Sequence, residues 1–412
     1  MGGGDGEELG RRERFVTSSG GPAPETNAKP FRSPGPPPSA VTRDRARSGG
    51  ACSQLVFDPR ALPPSSRQNF EYARRVLLEL PCEHFELGDF ELESGETLRR
   101  ARLAFATRGE LSPARDNVIL FPTYYTGRHT DNLKLVGPGR ALDPERYFIV
   151  VPNLFGNGVS SSPSNHPEQP GADFPKISML DNVVAQQRLL TEIFEVEKVA
   201  LVFGWSMGAQ QAFHHAALFP DRVERMLAVC GSARTSRHNW VFLEGVKAAL
   251  MADPTFAEGR YRSPPLRGLS AFGHVYAGWA YSQAFFREGL YRQLGYASPG
   301  ALLEAWGRDH EAWDANDLLT MLSTWQRADI SDNEYYQGDF AAALAAIKAR
   351  SIVMPCSTDL YFHVDDSRLE VAGMPNAELR ILESNWGHIA GGPDRNPEDT
   401  KFIEQALRDL LK

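Results

Sequence analysis

The chain has 412 residues, 42% of them hydrophobic and 23% charged, a balance that can fill one large α/β domain with an insertion or two smaller domains. A formal charge of −8 and a pI near 5.8 give no support to a nucleic-acid partner, which would need a basic face. No run of about 18 apolar residues exists to span a membrane, and no apolar segment near the start suits a secretory signal.

The opening Met1-Gly2-Gly3 invites a myristoylation reading, but Gly6 stands where that pattern wants Ser or Thr. Residues 1–50 are rich in Gly, Pro, Ser and Arg and poor in large apolar side chains, so they cannot bury enough surface to offset their ordering entropy. A disordered tail is expected there, and a targeting role for it stays open. Cys52, Cys82, Cys230 and Cys356 are scattered without a C-x-x-C pair. That spacing argues against a disulfide framework or zinc site and suits a reducing, cytoplasmic setting.

From Phe85 the pattern becomes periodic. Residues 85–92 and 97–107 read as two strands around the turn Ser94-Gly95-Glu96. Short continuous apolar runs follow at 118–122, 147–151, 199–203, 226–229 and 351–354, which suits parallel strands covered on both faces. Residues 379–382 read as a final strand. Apolar residues recur at helical spacing over 180–194 and 207–219. The alternation predicts an α/β fold with a doubly wound, mostly parallel sheet. It breaks after Gly231. Residues 235–339 hold no convincing strand but many aromatics, among them Trp240, Phe242, Tyr276, Trp279, Trp306 and Trp325. The expected division is therefore a tail (1–50), a first core part (51–234), a helical cap roofing the site (235–340) and a second core part (341–412).

Gly204-Trp205-Ser206-Met207-Gly208 fits G-x-S-x-G, directly after an apolar strand and directly before a helix. In that setting the serine stands on a strained turn with its hydroxyl exposed above the sheet. A serine hydroxyl needs a base. The last histidine, His388, follows the expected final strand. Asp359 lies just past the strand before it and can fix the tautomer of His388. Asp365 and Asp366 are rivals, but they fall at a helix start, where acids serve structure. The negative oxygen of a tetrahedral intermediate needs two backbone donors. Met207 N–H is the first, and the loop Pro122-Thr123-Tyr124-Tyr125 offers the second, Tyr125 before Tyr124. His214 and His215 read as packing residues, whereas His129, His274 and His363 are free to line a pocket. No pair has metal spacing, so no metal is expected.

These residues resemble the homoserine O-acetyltransferase-like branch of the α/β hydrolases over most of residues 85–410. Tyr125-Thr126-Gly127 is similar to that branch's Leu-Thr-Gly oxyanion loop. The block Phe174-Pro175-Lys176-Ile177-Ser178 with Asp181-Asn182-Val183 and Gln186, then Ser206-Met207-Gly208 and Ala252-Asp253-Pro254, also matches. The resemblance implies an α/β-hydrolase fold and acyl transfer through an ester on serine. It has departures. Ile389 follows His388 where the branch has an aspartate for the substrate's ammonium group. His274-Val275-Tyr276-Ala277-Gly278-Trp279 lacks the arginine that clamps the substrate carboxylate, and Trp205 replaces a small residue. Homoserine would leave both its charges unpaired, which is costly in a buried site. A less charged acceptor is expected instead, bound among Tyr124, Trp205, Tyr276 and Trp279.

The first reading is thus an O-acyltransferase with no bound cofactor and acetyl-CoA as a candidate donor. The alternative is a carboxylic-ester hydrolase using the same three side chains, and a third is a non-catalytic ligand-binding protein on the same scaffold. The partner is a small ester, thioester or alcohol, and a homodimer is compatible with the sequence.

Overall fold

The computed structural model describes residues 82–412. The expected tail of residues 1–50, and Cys52 with the stretch up to residue 81, lie outside the described residues. Eight strands form one sheet: β1 (Glu83–Glu91), β2 (Thr97–Arg108), β3 (Val118–Leu120), β4 (Phe148–Pro152), β5 (Leu201–Trp205), β6 (Arg225–Val229), β7 (Arg350–Met354) and β8 (Ala377–Leu379). Their spatial order is β1-β2-β4-β3-β5-β6-β7-β8. The β1–β2 and β2–β4 pairs are antiparallel, and the remaining pairs are parallel.

The burial of each strand follows from its place. β1 at the edge alternates between exposed and buried side chains, whereas β3, β4 and β5 are buried at every residue. Side chains alternate across the pleat. Leu201, Phe203 and Trp205 of β5 therefore join the core beneath the insertion, while Val202 joins the core on the opposite face.

Strand ends differ from the apolar runs. β5 reaches Trp205 because Gly204 and Trp205 continue the ladder opposite Ala228 and Val229. Val199 makes only an isolated bridge to Val223. Main-chain pairing does not require an apolar side chain, so a run of apolar letters misplaces the end by two positions. The last strand is Ala377–Leu379 rather than 379–382. Beyond Leu379 the chain keeps single main-chain bonds, Arg380 N–H to Val353 and Leu382 N–H to Pro355, without a continuous ladder.

Helix α1 (Met179–Arg188) starts at a capping box in which Ser178 and Asp181 each accept the other's backbone N–H. It ends in a π-helical stretch, Leu189–Ile193, which accounts for the longer helix expected to residue 194. Helix α2 (Met207–Leu218) follows the β5 turn directly. Between β6 and β7 lie α3 (Arg237–Met251), α4 (Leu266–Ala280), α5 (Pro299–Glu311) and α6 (Ala315–Gln326), with α4 packed between α3 and α5. Helices α7 (Val364–Gly373) and α8 (Pro397–Leu410) complete the second core part.

The β5–α2 turn leaves no space for a side chain at Gly204. A Cβ there would lie 2.0 Å from the Gly208 carbonyl oxygen, and backbone cannot swing aside. Gly204→Ala is expected to destabilise the fold by more than about 4 kcal/mol. The chemical denaturation midpoint checks this, and an unchanged midpoint would refute the close packing described.

Candidate active site

Ser206 sits between β5 and α2 with φ 59° and ψ −126°, a conformation that β-carbon residues rarely adopt. The strain is held by the ladder on one side, where Ser206 N–H donates to Val229, and by α2 on the other, whose first turn bonds back to the Ser206 carbonyl. The turn lifts the hydroxyl toward the C-terminal edge of the sheet.

His388 Nε2 lies 2.9 Å from Ser206 Oγ, and its Nδ1 lies 2.8 Å from Asp359 Oδ2. Since an ionised carboxylate only accepts, Nδ1 carries the proton and Nε2 is left as the acceptor for the hydroxyl. Asp359 Oδ1 accepts the backbone N–H groups of Tyr361 at 2.7 Å and Phe362 at 3.3 Å, which fixes the plane of the carboxylate. All three side chains are buried, with Ser206 2%, Asp359 3% and His388 3% exposed. Residues far apart in the chain thus meet at the end of β5 and β7.

The loop that carries His388 is tied on several sides. Thr358 donates to Ser384 at 2.6 Å and accepts the Gly387 N–H at 3.1 Å, linking the aspartate loop to the histidine loop. Ser282, just after α4, bonds to the Asn385 carbonyl and brings in the insertion. Trp205 Nε1 donates to the His388 carbonyl at 3.2 Å, and its indole stacks on the imidazole at 5.0 Å. Trp205 therefore braces the histidine, which is a more specific place than the pocket wall expected for it.

The second loop approaches from β3. A Cβ at Gly208 would fall 2.8 Å from the Pro122 carbonyl, so this loop lies directly on the start of α2. Gln211 holds it there by donating to Thr123 at 2.8 Å. Thr126 takes the left-handed conformation at φ 60°, and Gly127 N–H closes a turn on the Tyr124 carbonyl. Among the described residues neither Met207 N–H nor Tyr125 N–H has an acceptor. Unpaired backbone donors are what an oxyanion needs, the role expected of these two.

Aromatic rings wall this centre. Tyr361 and Phe362 lie 4.5 Å and 5.6 Å from the His388 ring. Tyr276 reaches both Tyr361, at 5.7 Å, and Tyr125, at 5.6 Å. Tyr361 donates to the Tyr276 carbonyl, and Tyr125 donates to Leu318 of α6. Burial pushes the Tyr125, Tyr276 and Tyr361 phenols well above their ordinary value, so they stay neutral. Tyr124 sits edge-on to Trp205 at 4.4 Å. Trp279 is the exception among the expected contacts. Its ring lies on Phe242 and His238, on the outer side of the cluster. Tyr361 and Phe362 went unread in the sequence, although they directly follow the Asp359 turn.

The other candidates fall elsewhere. Asp365 and Asp366 occupy the first turn of α7, and His363 caps that helix. His214 and His215 are buried along α2, bonded to Gln210 and Gln186. Burial lowers both imidazoles, His215 to about 3. His274 is exposed on α4, and His129 is buried beside Asn153. No group of three or more metal-ligating side chains occurs among the described residues. No helix there is long and apolar enough to cross a membrane.

Comparison with known proteins adds to this geometry. Residues 137–391 match the family described as the alpha/beta hydrolase fold. An ethyl acetate hydrolase of Pseudomonas veronii is 41% identical over 314 residues, covering 75% of this chain and 89% of that protein. The solved structure of an acetyl esterase superposes with a TM-score of 0.78 at 39% identity, covering 80% of this chain and 96% of the other. A homoserine O-acetyltransferase of Chloroherpeton thalassium is 30% identical over 335 residues, covering 78% of this chain and 85% of that protein. The protein belongs to the α/β-hydrolase family of enzymes, in the branch that holds these esterases and homoserine O-acetyltransferases.

Proposed function

We propose that this enzyme is a carboxylic-ester hydrolase for short acyl esters, acetyl esters foremost, working through an acyl-enzyme on Ser206. The likeness to the ethyl acetate hydrolase carries this reading, at 41% identity over nearly the whole of that protein. It reverses the order taken from the sequence, where acyl transfer stood first. Ile389 beside the base, and a cap without the substrate-clamping arginine, fit the same conclusion.

The geometry supports each step. His388 Nε2 takes the hydroxyl proton as Ser206 Oγ attacks the ester carbonyl, and Asp359 stabilises the imidazolium formed. Met207 and Tyr125 N–H receive the oxygen as it becomes negative. His388 then hands its proton to the departing alcohol. Water, deprotonated by the same imidazole, attacks the acyl-enzyme, and the carboxylic acid leaves. The fixed Nδ1–Asp359 bond keeps Nε2 unprotonated at the start of each half-reaction.

Purified enzyme supplied with ethyl acetate or p-nitrophenyl acetate and water alone is expected to release acetate continuously, at a rate that added alcohols do not raise. Titration of the acid released measures it. Turnover that starts only when an alcohol acceptor is supplied would restore the transferase reading.

A further inference from the structure

Arg395 lies on the loop between His388 and α8, and the reaction described above does not use it. Its accessible surface is that of an exposed residue. Yet Tyr124, Asp131 and Tyr281 are near enough to bias its charge, and the Tyr124 hydroxyl lies against the guanidinium. A side chain that water reaches but protein surrounds lines a recess. Gly392 shows which way its stem runs. A Cβ there would meet Arg395 Cγ at 2.8 Å and Trp205 Cη2 at 3.1 Å, so arginine and indole flank the same glycine. On its other side Trp205 stacks on His388 and touches Tyr124.

The cation has no carboxylate paired with it. Arg395 makes no ion pair among the described residues. Asp131 is held by Lys134 at 2.8 Å, and the adjacent Asp394 pairs with Arg140 at 3.6 Å. Asp309 of α5 is near enough for the guanidinium to favour its ionised form, yet the two make no ion pair. A guanidinium is always charged and presents a planar fork suited to a carboxylate. The recess also lies on a definite side of the reaction. His388 protonates the departing alcohol, so the alcohol part of the ester sits on the histidine side, toward Trp205 and the arginine beyond it.

We propose that Arg395 determines specificity for the alcohol part of the ester, and that its recess takes acetyl esters of short hydroxy acids, with the carboxylate received by the guanidinium. This rests on the ester-hydrolase reading. Acetoxyacetate and ethyl acetate form a matched pair, since they differ only in a terminal carboxylate against a methyl group. The expected result is that Arg395→Met lowers the ratio of kcat/KM for acetoxyacetate to kcat/KM for ethyl acetate about tenfold, mainly through KM, and that Arg395→Lys restores part of it. An unchanged ratio overturns the proposal. So does a wild-type enzyme that cleaves ethyl acetate and ignores acetoxyacetate. If the wild type cleaves neither, the hydrolase reading itself fails. Should Arg395→Met not fold, the unaltered enzyme decides: glycolate is expected to inhibit ethyl acetate hydrolysis at least tenfold more strongly than ethanol, and equal inhibition overturns the assignment.

Discussion

Ser206→Ala is expected to lower kcat for p-nitrophenyl acetate by about 10⁵-fold, the scale on which a nucleophile acting with its base is lost. That corresponds to about 7 kcal/mol of barrier. The residual rate would come from Met207 and Tyr125 N–H and from binding, because neither donor depends on the serine hydroxyl. The variant is also expected to resist a fluorophosphonate probe that labels the wild type, since the probe reports the nucleophile directly. Folding should survive. Alanine accepts the same turn at similar cost, and the lost group makes one hydrogen bond, to His388. Near-UV circular dichroism checks the fold and steady-state kinetics check the rate. A well-folded Ser206→Ala enzyme with more than a hundredth of the wild-type kcat would show that another group attacks the ester.

Ser206 is legible in the sequence because the turn imposes its own alphabet. Gly204 and Gly208 are required by backbone approach, and Ser206 stands between them at φ 59°. Five of the parallel strands, β3 to β7, were legible for a similar reason: burial on both faces leaves a short apolar run in each of them. Their ends were not, because Gly204, Trp205 and Pro152 sit in the ladder through main-chain bonds that side-chain character does not report. Order along the chain was enough to choose His388 and Asp359. What could not be read was the packing between distant segments. Trp205 looked like a pocket residue, and only the folded chain brings its N–H to the His388 carbonyl. Trp279 lies one turn along α4 from Tyr276 and both rings touch Phe242, yet Trp279 reaches out to His238 while Tyr276 reaches in to Tyr361. Arg395 carries no motif at all. Its interest comes from Tyr124 and Trp205, which the fold sets beside it.

The choice between hydrolysis and transfer was illegible for a chemical reason. Both use one acyl-enzyme and one base, and they differ in what attacks second. No arrangement of Ser206, Asp359 and His388 encodes that difference. Ile389 and the missing cap arginine speak against an amino-acid acceptor, but they do not name another. Likeness to an ethyl acetate hydrolase and an acetyl esterase favours hydrolysis where the three side chains are silent.

Asp359→Asn is expected to be the next largest loss, about 10⁴-fold in kcat with KM nearly unchanged. The size follows from how the carboxylate is held. Its Oδ1 accepts two backbone N–H groups, from Tyr361 and Phe362, while Oδ2 faces His388 Nδ1. An asparagine in that place keeps its carbonyl oxygen toward the two N–H groups, because turning it round would set an NH₂ against two donors. Its NH₂ then points at Nδ1, which must give up its proton and accept. The proton moves to Nε2, and a protonated Nε2 cannot take the proton of Ser206. The imidazole keeps its position between Trp205, Tyr361 and Phe362, so substrate binding is little affected. Asp366→Asn, in the first turn of α7, serves as the control and should leave kcat within about twofold, because removing a charge at a half-buried helix start touches stability by only about 1 kcal/mol or less and leaves the reacting groups alone. Initial rates of ethyl acetate hydrolysis for the two variants decide the matter. If Asp359→Asn kept a tenth or more of the wild-type kcat, the carboxylate would not be setting the histidine tautomer.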